Sequence, residues 1–139
     1  MSSVIYLHAS SNDCSDYFPN NNASIFRVKL NKPLNLNGVW KIGICEIDVN
    51  SDISERVCVE CSLCGDGLIV DGKQTRVLRT FTLNQNYHEI YPILFYVPIE
   101  TRFVDSIEFR LVKPDGTPIL FRDKSAAVHM TLQLMSTCL

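Results

Sequence analysis

The sequence predicts an all-β domain, a β-sandwich or barrel of about eight to ten short antiparallel strands. Three observations carry this. Apolar residues recur with a period of two, turn residues fall between the alternating runs, and no long amphipathic helical pattern occurs.

The alternating runs are read in chain order. In 25–30, IFRVKL, Phe26, Val28 and Leu30 share one face while Arg27 and Lys29 take the other. In 39–47, VWKIGICEI, Trp40, Ile42 and Ile44 share a face, and Cys45 and Ile47 are expected opposite. In 56–63, Val57, Val59, Cys61 and Leu63 alternate with Cys58, Glu60 and Ser62. In 106–112, Ile107, Phe109 and Leu111 alternate with Glu108 and Arg110. In 127–134, Val128, Met130, Leu132 and Leu134 alternate with His129, Thr131 and Gln133. Alternation of this kind marks sheets with one buried face. The expected core is Trp40, Ile42, Ile44, Val57, Val59, Leu63, Ile107, Phe109, Val128, Met130 and Leu132.

Turn chemistry divides the runs. Asn-Lys-Pro (31–33) and Asn-Gly (37–38) flank a short Leu-Asn-Leu, and Gly/Asp pairs bracket Leu-Ile-Val at 68–70. Lys-Pro-Asp-Gly (113–116) fits a type I turn closing a hairpin between 106–112 and 117–121. The Asn/Ser-rich 10–24 and the segment 84–92 read as surface loops, the latter a loop or short helical turn.

Composition bounds the function. The 139 residues suit one domain, 1–139, with no internal repeat or linker. A net charge of −2 without a basic stripe disfavours direct nucleic-acid binding. No apolar run is long enough to span a membrane, and the N-terminus lacks the pattern of a secretory signal. The six cysteines (14, 45, 58, 61, 64 and 138) are therefore expected as free thiols.

Cys58, Cys61 and Cys64 are the candidate metal ligands, at C-x-x-C-x-x-C spacing. On one regular strand, Cys58 and Cys64 would face one side and Cys61 the other, so the three would not converge on a metal. No second C-x-x-C or paired histidines complete a tetrahedral set, and no metal or cofactor is expected. Histidines 8, 88 and 129 are isolated, and His88 beside Glu89 makes a poor acid/base pair because adjacent side chains diverge. Asp13, Asp16 and Asn20–Asn22 lack the ligand spacing of a calcium loop. No hydrolase, P-loop, zincin or dinucleotide motif appears. No catalytic residue is expected.

The run 91–99, YPILFYVPI, is too apolar for one narrow core. Either it is a strand buried on both faces, or Tyr91, Ile93, Phe95 and Tyr96 present an outward face to a partner.

Several segments in order resemble one family. In 20–49 these are Phe26, Val28 and Leu30, the connector Pro33, Leu34, Leu36 and Gly38, then Trp40, Glu46 and Ile47. The strand–loop stretch 56–81 and the closing pattern 103–134, with its Asp-Gly turn and final apolar strand, follow in the same order. The set resembles the minor capsid, or penton, proteins of Polinton/Maverick elements and the related adintoviruses. That resemblance implies a single jelly-roll β-sandwich of about eight antiparallel strands. It implies a non-enzymatic structural protein of the virion, assembled inside the host cell as a homopentamer at icosahedral vertices beside a hexon-like major capsid protein. Two departures, no room for an extra domain and a neutral C-terminus, leave a cement or spike-base role open. The alternative from the residues is a ligand- or glycan-binding β-sandwich using loops 10–22 and 84–91. More distant is a metal-binding regulator using the cysteine run.

Overall fold

The computed structural model describes residues 2–13 and 16–137. Cys14 and Cys138 lie outside them. Eleven strands form: β1 (Ser2–Ser10), β2 (Ile25–Asn35), β3 (Val39–Asn50), β4 (Ser54–Cys61), β5 (Ile69–Val70), β6 (Lys73–Gln74), β7 (Val77–Asn84), β8 (Tyr87–Ile90), β9 (Val97–Pro98), β10 (Phe103–Val112) and β11 (Ala127–Thr137). No helix occurs among the described residues, and so none is long and apolar enough to cross a membrane.

Two antiparallel sheets stack. One has the order β1-β11-β3-β8, with β9 also on β3, and the other has β2-β10-β4-β7. With the short β5, β6 and β9 set aside, eight strands remain. The first, eighth, third and sixth form one sheet and the second, seventh, fourth and fifth the other. That wiring is the jelly roll.

Alternation places the core. All eleven expected core residues are buried in the main cluster between the sheets, joined by Phe26, Val49, Leu78, Leu83 and Leu134. Trp40 is buried and donates its indole N–H to the Asn37 carbonyl at 2.9 Å, so its one polar atom is satisfied. The outer face of the β2-β10-β4-β7 sheet carries cross-strand ion pairs, Arg27–Glu108, Lys29–Asp105 and Arg110–Glu60. Pairs this exposed contribute little stability.

Four local expectations are corrected. First, Ile47 is fully buried in the core, not opposite Ile44. Thr131 pairs with Glu46 and Leu132 with Ile44, so Cys45 is an extra residue, a β-bulge. The bulge resets the alternation and lets Ile42, Ile44, Ile47 and Val49 all face inward.

Second, residues 87–90 are a strand, pairing Glu46–Val49 of β3. Third, the turn at 113–116 forms, with Gly116 N–H bonded to the Lys113 carbonyl at 2.8 Å. Its return strand, however, is a single bridge, Val112 to Pro118; Ile119 N–H still bonds to the Leu111 carbonyl of β10 at 3.0 Å, and 120–121 form no strand. Fourth, β4 ends at Cys61, and Cys64 N–H bonds back to the Cys61 carbonyl at 3.2 Å in a turn. The apolar alternation through 57–63 hides that turn, because Leu63 still reaches the core from beyond the strand.

Candidate interaction surface

The three cysteines of the run do not share one site: Cys61 and Cys64 lie together, and Cys58 lies apart. Cys58 faces out from β4 and packs with Val77, Val112, Leu68 and Val70 in a second small cluster beside the hairpin β5–β6. Cys61 and Cys64 both enter the main core. The expected pairing of Cys58 with Cys64 on one face is therefore overturned by the turn at 62–63. Cys64 is hydrogen-bonded to Cys61, and that bond, with burial, pushes its thiol far up. Burial likewise raises Cys58 and Cys45. Thiols held protonated are poor nucleophiles and poor metal ligands. Among the described residues no group of three or more His, Cys, Asp or Glu is arranged to hold a metal ion.

Two amides of the Asn-rich loop are spent on the start of β2. Asn21 accepts from Arg27 N–H at 2.9 Å and donates to the Arg27 carbonyl at 2.9 Å. Asn22 Oδ1 accepts from Ser24 N–H at 2.9 Å and Ile25 N–H at 3.0 Å, turning the chain into β2. Beside it lies a cleft of about 370 Å³ lined by Ser11, Asn12, Asn22, Phe121 and Asp123, among others. Asp123 Oδ1 there accepts from Ser125 N–H at 2.8 Å.

The segment 91–96 bends at 92–93 and is not a strand; pairing begins only at Val97–Pro98, with β3, and at Ile99, which bridges Cys64. A strand buried on both faces is therefore not what forms. The bulge at Cys45 sets the segment's start, since Tyr91 N–H bonds to the Cys45 carbonyl at 2.9 Å. Gly43, in mid-β3, lets it pass close. A Cβ there would lie 3.1 Å from the Phe95 carbonyl oxygen and 3.4 Å from the Tyr96 ring. Val97 then anchors the far end in the core.

Arg79 of β7 clamps the segment from the other sheet. Its guanidinium carbon lies 3.5 Å from the Tyr91 ring centroid and 4.3 Å from that of Phe95, and it donates to the Ile93 carbonyl at 3.2 Å. Cation–π contact of this kind adds of order 1 kcal/mol per ring. Tyr91 Oη meets Tyr87 Oη at 3.0 Å, and burial followed by that contact raises its phenol. Tyr96 packs its ring on the Lys41 ammonium, 4.3 Å away, and donates its hydroxyl to Gln133.

The four candidate interface residues thus divide. Tyr91 and Tyr96 are half-buried and held within the chain, whereas Ile93 is 70% and Phe95 50% exposed. The segment holds two large apolar side chains in water on a rigid footing. Arg79 carries no sign in the sequence, where it is one of four polar residues in β7.

No family model matches this sequence, and no curated protein matches it. Solved structures similar to it include two of viral particles. One is a chain in the crystal structure of the T13 IBDV viral particle, at 13% identity and a TM-score of 0.42, over 96% of this chain and 31% of that one. The other is a chain in the structure of the infectious bursal disease virus Gx strain, at 10% identity and a TM-score of 0.31, over 97% of this chain and 32% of that one. This chain spans about a third of the length of each. The strand order given above stands without them.

Proposed function

We propose that this protein is a structural subunit of a viral or virus-like capsid, acting by self-assembly and not by catalysis. The finer assignment is a penton-type minor capsid protein of the Polinton/adintovirus kind, forming a homopentamer that meets a hexon-like protein at the vertex. The ordered sequence resemblance motivates it. The observation that carries it is the Arg79 clamp, which holds Ile93 and Phe95 exposed at the side of a rigid jelly roll.

The physical argument is one of prior order. A contact made by side chains already fixed costs little conformational entropy on assembly. Exposed apolar groups on a rigid segment gain from burial against a neighbour. In a ring the contact is heterologous, so a different patch of the next copy covers Ile93 and Phe95, and closure sets the ring number.

Ile93→Asp with Phe95→Asp tests this, because both positions are exposed and the fold should survive. Sedimentation of the wild-type chain should show a discrete oligomer, and the double variant, still folded, should no longer close that ring. An unchanged oligomer in the variant would remove the segment from the interface. Glycan binding by a wild-type monomer would favour the β-sandwich recognition module instead.

A further inference from the structure

Each sheet of a sandwich leaves two edges whose backbone groups seek partners, and proteins blunt them with charges, prolines, bulges or brevity. Three of the four edges here are blunted. β2 carries Arg27, Lys29, Lys32 and Pro33, and its pairing jumps from Lys29–Ser106 to Leu34–Val104. β7 carries Arg79, over which the 91–96 segment folds. β8 is four residues long and holds His88 and Glu89.

β1 has none of these devices. Its nine residues, SSVIYLHAS, contain no proline, lysine, arginine or acid. It pairs in unbroken register with β11 on one side, and among the described residues no strand pairs with its other side. Its inward residues Ile5 and Leu7 pack on the core yet stay partly exposed, and outward Val4 and Tyr6 are 43% and 68% exposed. A long, even, apolar edge is a template for strand addition.

The strand is also complementary to itself. Residues paired across antiparallel strands point to the same face, so a two-fold axis must pass through a residue. An axis through Tyr6 sets Ile5 against Leu7 on the inner face, and Val4 against His8 and Tyr6 against Tyr6 on the outer face. Aliphatic meets aliphatic, and no like charges oppose one another at neutral pH. We propose that the free edge of β1 pairs antiparallel with β1 of a second copy of this chain, joining two sandwiches through one continuous sheet. The contact is isologous and uses the edge of its sheet farthest from β8, so it is additional to the ring contact proposed above.

The test is Val4→Lys with His8→Lys, both exposed, which puts like charges opposite one another in both Val4–His8 pairs and leaves Tyr6 and its Gln133 bond in place. Sedimentation of the full chain over a range of concentrations is read beside amide exchange of residues 4–8. The wild type should show two-fold association and slower exchange of these amides as concentration rises, and the double variant should lose both. Val4→Lys alone, should the pair fail to fold, should weaken association in the same direction. Phe95→Asp should leave β1 protection untouched, which separates this contact from the ring. A wild type whose β1 amides exchange at a concentration-independent rate, or a folded variant with wild-type association, overturns the proposal.

Discussion

The guanidinium carbon of Arg79 lies 3.5 Å from the centroid of the Tyr91 ring, although the two belong to different layers of the sandwich. Arg79 leaves β7 and Tyr91 follows β8, so the contact ties the side of the jelly roll shut. Arg79→Ala should remove two ring contacts and one hydrogen bond, costing about 1–3 kcal/mol. Chemical denaturation measures this. Proteolysis within 91–96 should accelerate in the variant, and a midpoint equal to wild type would show the clamp to be idle.

Trp40 contributes a large apolar surface with its N–H already satisfied. Trp40→Ala should destabilise the fold by about 3–5 kcal/mol through lost burial and a cavity. A melting-temperature shift under about 3 °C would contradict its place in the core.

Among the described cysteines, only Cys45 reaches solvent appreciably, whereas Cys58, Cys61 and Cys64 are buried; burial raises the thiol of Cys58, and the contact with Cys61 followed by burial raises that of Cys64. Alkylation of the native chain at neutral pH, mapped by peptide mass, should modify Cys45 before those three. Chelator should leave the melting temperature unchanged. Rapid labelling of Cys61 or Cys64, or a melting temperature that falls on chelation, would reopen the metal question.

His88 Nε2 lies 2.7 Å from Glu46 Oε2, and this hydrogen bond raises the imidazole. A raised histidine favours folding fully below its unfolded value and loses that contribution as pH rises through the folded value. Both groups are solvated, so the change in stability should be slight. An NMR titration should place the His88 midpoint above the unperturbed value of about 6.5, and Glu46→Gln should bring it down. Identical midpoints in the two proteins would show that the pair does not form.

Much of this fold is written in the alternation. The expected core residues other than Leu63 lie on strands and are buried because a strand's period of two leaves no freedom once one face is chosen. What the pattern conceals are its own interruptions. The bulge at Cys45 turns Ile47 inward, and a one-residue insertion looks like continued alternation until the partner strand is known. The turn at 62–63 is masked in the same way by Leu63. β8 is short and polar because it sits at an edge, so it lacks the greasy rhythm that marks an interior strand. Of the candidate surface, the excess of apolar residues in 91–99 was legible. The division between exposed Ile93 and Phe95 and the held Tyr91 and Tyr96 was not, because Arg79 and Gly43, distant in sequence, decide it.

The central claim, that the side of this jelly roll assembles copies into a closed ring, is tested most directly by native mass spectrometry of the wild-type chain. A discrete species at five times the chain mass, lost on Ile93→Asp with Phe95→Asp, is the predicted result. A monomer at all concentrations, or a pentamer indifferent to those substitutions, would contradict it.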